Sequence, residues 1–183
     1  MNNLYVDLRK IKFNNFSGLI IVTSLLLALL TLCYVLLHSP YKKIHSQVFQ
    51  TADNIRRYYR DQPGYWKLDT KSAIDDHLVE PELIRLKEYS VKIGIGVNGD
   101  MAMPSNLNFD IVLSHLNKSS CIGLVEANIE REQQLGLQKI TVINSEKSTE
   151  YTWGDEKHSL PVKKYSARNV CKPTENTIVW NFQ

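Results

Sequence analysis

Three kinds of hydrophobic pattern follow one another along the chain. From Leu19 to Leu37 there are 19 residues without a charge, and a helix drawn through them has no polar face. At about 1.5 Å per residue that helix is roughly 28 Å long, enough to cross the hydrocarbon core of a bilayer. The pattern then turns amphipathic. In YKKIHSQVFQTADNIRRYYRDQPG, Ile44, Val48, Ile55 and Tyr58/Tyr59 recur at helical spacing, while Lys42, Lys43, Asp53, Asn54, Arg56, Arg57 and Arg60 fall mostly elsewhere. Pro40 can kink this helix without ending it, and Pro63-Gly64 stops it. The two halves together predict one helix of about 45 residues, apolar all round at first and amphipathic later.

Beyond the stop, DTKSAIDDHLVEPELI predicts a short helix capped by Asp69 or Thr70, with Ala73, Ile74, Leu78 and Leu83 on its apolar side and Pro81 limiting its length. The period then changes to two. YSVKIGIGV, NFDIVLSHL, GLQKITVINS and NTIVWNF, rich in Ile, Val and aromatics, predict strands, and Asn98-Gly99-Asp100 a turn after the first. Between the second and third strands, KSSCIGLVEANIEREQQL predicts a helix capped by Ser119 or Ser120, with Ile122, Val125 and Ile129 facing inward. The fold class expected is α+β: a long N-terminal helix, membrane-spanning in its first half, packed on a mostly antiparallel sheet.

Composition adds boundaries. A chain of 183 residues with 22% charged residues is globular, and a net charge of +3 without any Lys/Arg block longer than two gives no reason to expect nucleic acid. An ordinary secretory signal has a shorter apolar run and a small-residue cleavage site after it; Leu36-Leu37-His38-Ser39-Pro40 offers none, so the run is expected to stay. Arg9, Lys10 and Lys12, with Asp7 against them, precede the run and Lys42 and Lys43 follow it, so the count of basic residues barely prefers an N-terminus in the cytoplasm. Cys33 lies in the apolar run. Cys121 and Cys171 form an even pair in an exported region, either bridged or left as two buried thiols.

Candidate chemistry is sparse. Gly94, Gly96 and Gly99 spell G-x-G-x-x-G, but the continuation DMAMPSNLNF does not open the helix that a pyrophosphate needs. His38, His45, His77, His115 and His158 are scattered without metal-ligand spacing. Asp75-Asp76-His77 reads as a polar helix face, with no nucleophile in a strained elbow to complete a triad. No catalytic residue, metal site or cofactor is expected, and the chain does not read as an enzyme. Tyr65, Trp66, Tyr151 and Trp153 read as packing aromatics, with a ligand surface as the alternative.

Four stretches, in this order, carry a family likeness. A basic leader ends in Ser17-Gly18 just before the apolar run; PGYWKLDTKSAIDDHLVEPELI follows the long helix; NFDIVLSHLNKSSCIGLVEANI runs a strand into a helix that holds a cysteine; NVCKPTENTIVWNF joins the second cysteine to a closing strand. The chain resembles type IV pilins, the type IVb class in particular, including its minor pilins and the pseudopilins of secretion systems. The resemblance implies a leader at residues 1–18 removed by a prepilin peptidase between Gly18 and Leu19, with methylation of the new N-terminus. It implies a filament-core helix at 19–37, an amphipathic continuation at 38–62, and a periplasmic domain at 63–183 with Cys121 bonded to Cys171. Major pilins of the family carry a glutamate five residues into the mature chain; here that position is Thr23. The resemblance therefore implies a minor pilin that initiates or caps a pilus. Its expected partners are a major pilin, other minor pilins, the prepilin peptidase, the inner-membrane assembly platform and the lipid bilayer. The expected location is the inner membrane and then the pilus tip. The alternatives are an uncleaved inner-membrane scaffold of a secretion or pilus machine, and a tip adhesin.

Overall fold

The structure, a computed structural model, describes residues 20–30, 40–86, 89–95, 107–126 and 135–183. The chain divides into two units, Met1–Ser39 and Pro40–Gln183. Within the first, residues 20–30 form a helix.

The second unit is an α+β domain. Helix α1 is described over Pro40–Tyr58; how the chain runs into it from residues 31–39, and so the expected kink at Pro40, lies outside the described residues. The helix ends a turn before Pro63-Gly64. Its inner stripe is Ile44, Val48, Ala52, Ile55 and, just past the end, Tyr59, all buried, whereas Tyr58 is about half exposed. Helices α2 (Thr70–Asp75) and α3 (Pro81–Ile84) follow. Asp69 caps α2 in a reciprocal capping box: its carboxylate accepts from the Ser72 N–H at 2.7 Å, and the Ser72 hydroxyl accepts from the Asp69 N–H at 3.0 Å. The other end of α2 explains His77. Its φ is +56°, its N–H donates to the Ile74 carbonyl at 3.0 Å, and the Leu78 N–H reaches back to the Ala73 carbonyl at 2.9 Å. His77 thus holds the left-handed position of a Schellman motif, a place glycine usually takes.

Strands β1 (Ser90–Gly94), β2 (Phe109–Leu116), β3 (Leu137–Ile143), β4 (Ser148–Thr152) and β5 (Asn176–Phe182) make one sheet in the order β1-β2-β5-β3-β4, every neighbour antiparallel. The last strand in sequence is therefore the middle one in space. Its register builds three ranks across the sheet: Phe109–Phe182–Leu137, Ile111–Trp180–Ile140 and Leu113–Ile178–Val142. All nine side chains are buried and share one face, because partners directly opposite point the same way. Phe49 of α1 meets this face edge-on at Phe182, ring centroids 5.4 Å apart.

Helix α4 (Lys118–Val125) follows β2. Its cap is Asn117, whose side chain accepts from the Ser120 N–H at 2.9 Å, so the cap lies two residues before the earliest expected serine. Its buried residues are Ser120, Cys121, Leu124 and Val125, with Ile122 only half-buried; Ile129 lies outside the described residues. Gly123 is accounted for by a close crossing. A Cβ there would stand 2.5 Å from the ring of Tyr41 on α1, whose hydroxyl also meets the Ser119 hydroxyl at 3.2 Å. Three elements went unanticipated: α3, a separate helix where one short helix limited by Pro81 was expected; β4; and α5 (Lys164–Val170), which buries only Ala167 and Val170.

Both outer strands are met by the chain's own atoms at one residue. On β1, the Thr70 hydroxyl accepts from the Ile93 N–H at 2.9 Å and donates to the Ile93 carbonyl at 3.2 Å. On β4, the Thr152 N–H donates to the His158 carbonyl and the Thr152 carbonyl accepts from the Leu160 N–H, both at 3.0 Å.

The start of β5 is held by a polar group. Ahead of it, His115 adopts φ +65° where the β2–β5 register slips between Leu113 and Leu116. This bulge returns Leu116 to the core. The fully buried Asn176 side chain donates to the Leu116 carbonyl at 2.9 Å and the Lys172 carbonyl at 2.8 Å, and accepts from the Lys172 N–H at 2.7 Å. Asn176→Ala strips these backbone groups of partners, and the expected loss is about 2 kcal/mol of unfolding free energy, measured by urea titration. A midpoint within error of wild type would show that water replaces the amide.

Candidate functional site

Two regions carry the features that the sequence singled out for assembly. The first is the N-terminal helix. In residues 20–30, Ile20, Ile21, Val22, Leu25, Leu26, Leu27, Leu29 and Leu30 are all exposed, from 53% for Ile21 to 66% for Leu27. Burying eight such side chains is worth on the order of 10 kcal/mol or more, so this surface is stable only when something apolar covers it. Among the described residues no helix is long and apolar enough to cross a membrane; of the run Leu19–Leu37, only 20–30 is described. Gly18 and Leu19, the expected processing site, lie outside the described residues, as does the leader.

Thr23 lies on this helix. Its hydroxyl donates to the Ile20 carbonyl at 3.0 Å, and the Ser24 hydroxyl does the same to Ile21 at 2.9 Å. Back-bonding of this kind lets a hydroxyl sit in apolar surroundings without seeking a partner outside its own helix. A threonine carries no negative charge to offer a neighbouring amine.

The second region is the disulfide. Cys121 and Cys171 are bonded, with Cα atoms 5.9 Å apart, and both are buried. The bridge ties the buried side of α4 to the segment immediately before β5. The two arms of the molecule that it joins are also bonded through the Lys118 N–H, which donates to the Pro173 carbonyl at 3.2 Å.

The aromatic residues separate. Tyr151 is fully buried, its hydroxyl 2.9 Å from the Ser166 hydroxyl. Trp153 is partly buried and donates its ring N–H to the Leu137 carbonyl at 2.8 Å. Both are packing residues. Tyr65 packs against Phe109 with the rings tilted and their centroids 4.7 Å apart, and remains half-buried, while Trp66 is exposed. Gly96 and Gly99 of the glycine pattern lie outside the described residues.

No protein family, no curated protein and no solved structure matches this chain.

One constellation escaped the sequence reading. Arg56, Arg57 and Arg60 read as the solvated side of α1, yet the structure gathers them on the wall of a cleft with Tyr59 and Tyr65. The only trace in the sequence is the spacing of Arg56 and Arg60, four residues apart and so on one helical face, with like charges together.

Proposed function

We propose that this protein is a structural subunit of a type IVb-like pilus, a minor pilin that initiates or caps assembly, and that it is not an enzyme. The observation that carries the reading is the exposed apolar helix on a chain whose other unit already has a closed core. The three ranks of packed side chains in that unit come from β2, β3 and β5. The apolar surface is therefore reserved for lipid before assembly and for helices of neighbouring subunits after it. The disulfide fits export to an oxidising compartment.

Thr23 supports the minor role. In an apolar bundle an unpaired ammonium costs several kcal/mol, and a carboxylate on the adjoining subunit offsets it. A chain with threonine at that place cannot neutralise the amine of a neighbour, so it suits a position where no such neighbour has to be received. The major pilin, other minor pilins, the prepilin peptidase and the inner-membrane assembly platform are the partners of this reading. Its route runs from the inner membrane to the pilus tip.

The test is the N-terminal residue and intact mass of the protein recovered from its host's membranes, with and without the prepilin peptidase. The expected result is a chain beginning at Leu19 only when the peptidase is present. A chain beginning at Met1 in both strains would overturn the pilin reading and leave an uncleaved membrane scaffold as the better account. In filament preparations, labelling at one end is expected; uniform labelling along the shaft would sink the tip position.

A further inference from the structure

The cleft at the C-terminal end of α1 has a volume of about 570 Å³, within the range of small-ligand sites. Arg56, Arg57 and Arg60 line it, with Asp53 as the acidic side chain among its lining residues. Asp53 is committed to Arg57, one turn away, in an ion pair. Arg56 and Arg60 have no carboxylate within 4.0 Å among the described residues. Arg56 in the last turn of α1 and Arg60 two residues past its end bring two guanidiniums to the wall of one cleft, where like charges repel unless an anion bridges them. The favourable position of positive charge at a helix C-terminus accounts for one such residue more readily than for a cluster around a concavity.

The cluster is also held in place. Arg56 lies over Gly136: a Cβ on that residue would stand 3.0 Å from the guanidinium carbon and 2.3 Å from the Gln183 carbonyl. Gly136 has φ +77°, and its carbonyl accepts from the Gln183 N–H at 2.9 Å. On its other side the Arg56 guanidinium lies beside the Tyr65 hydroxyl and counteracts the rise in that group's pKa that burial causes. Tyr59 and Tyr65, ring centroids 5.5 Å apart, form an aromatic wall, and Gln62 adds an amide. Planar forks that pair bidentately with an anion, beside ring faces and an amide, make a site for a small charged molecule with a ring body.

We propose that this cleft binds a small anionic ligand, a carboxylate or phosphate on a sugar-sized ring, with Arg56 and Arg60 on the anion and Tyr59 and Tyr65 along the ring. The reading does not depend on the pilin assignment.

The experiment is isothermal titration of the full chain, in a nonionic detergent, with glucuronic acid, N-acetylneuraminic acid, glucose 6-phosphate, inorganic phosphate and neutral glucose. At least one of the ring-bearing acids is expected to bind saturably and to outcompete both inorganic phosphate and glucose. Arg60→Gln and, separately, Arg56→Gln are expected to weaken that binding about tenfold or more, since a hydrogen bond to a charged group is lost in each. Because Arg56 also packs on Gly136, the Arg60 variant, on the more open part of the wall, keeps the test valid if Arg56→Gln unfolds; thermal melts report this. Raising salt is expected to weaken binding of the acids. Absence of saturable binding by all three ring-bearing acids at millimolar concentration overturns the proposal. So does binding that both variants leave unchanged. Phosphate binding alone, without preference for a ring, would also overturn it.

Discussion

Replacing Cys121 and Cys171 together by alanine is expected to cost about 4 kcal/mol of unfolding free energy. The figure follows from the loop: the bond closes a sequence separation of 50 residues, and chain entropy released on cutting it scales with the logarithm of that length. Where the bond sits makes the loss matter. It anchors the segment entering β5, and β5 is the strand to which both β2 and β3 are paired. The loop contains β3, β4 and α5, so without the bond these elements have to be brought together against a larger unfolded ensemble. The bonded sulfurs are buried, so the native protein should resist reduction at neutral pH until it opens. The measurement is the guanidinium midpoint of the double variant and of wild type with and without reductant. The reduced wild type and the variant should coincide. A variant losing less than about 1 kcal/mol would mean that the fold is closed by its core alone.

The second large effect is expected in acid. His45 lies on the buried side of α1, its ring 4.6 Å from that of Phe49, and desolvation lowers its pKa from 6.5 to about 4. The sign follows from proton counting. Below pH 6.5 the unfolded chain binds a proton at His45 while the folded chain does not, so acid favours unfolding. Stability is intact above the unfolded value, falls as pH drops toward 4, and the total is about 3 kcal/mol. Exposed carboxylates add their own dependence: Asp69, held down chiefly by the Ser72 N–H, and Asp155, held down chiefly by the His158 N–H, also favour folding less as they protonate. The histidine share is isolated by comparing wild type with His45→Gln at pH 7.5 and pH 4.5. The variant is expected to lose much less stability between the two. Parallel pH profiles would show that His45 is not the group responsible.

How much of this was legible in the sequence differs from element to element. NTIVWNF was readable as a strand because its β-branched and aromatic residues leave no helical alternative, and the structure has β5 at Asn176–Phe182. The stripe on α1 was readable because helical periodicity survives burial on one side. Strand β4 was not, because STEYT has only Thr149 and Tyr151 facing inward, too short an alternation to stand out from a loop. The Asn117 cap was missed because two serines nearby offer the same chemistry, and only the backbone angle of Asn117 decides among them. His77 was taken for part of a polar face; its left-handed backbone is a property of how α2 ends, which composition does not announce. For the candidate sites, the cysteine pair was visible as parity and became a bond only in space. The arginine cleft was invisible because it is completed by Leu107 and Gln183, far along the chain from α1.

The Thr70 hydroxyl has a further bearing on how copies of the protein meet. By gripping both polar groups of Ile93, it occupies the place where a foreign strand would dock on β1, and Thr152 is shielded in the same manner on the opposite flank. Sheets from two molecules are thus kept from zipping into a continuous ribbon at these residues. Contacts between copies, where they form, are left to side chains rather than to backbone pairing at these two positions.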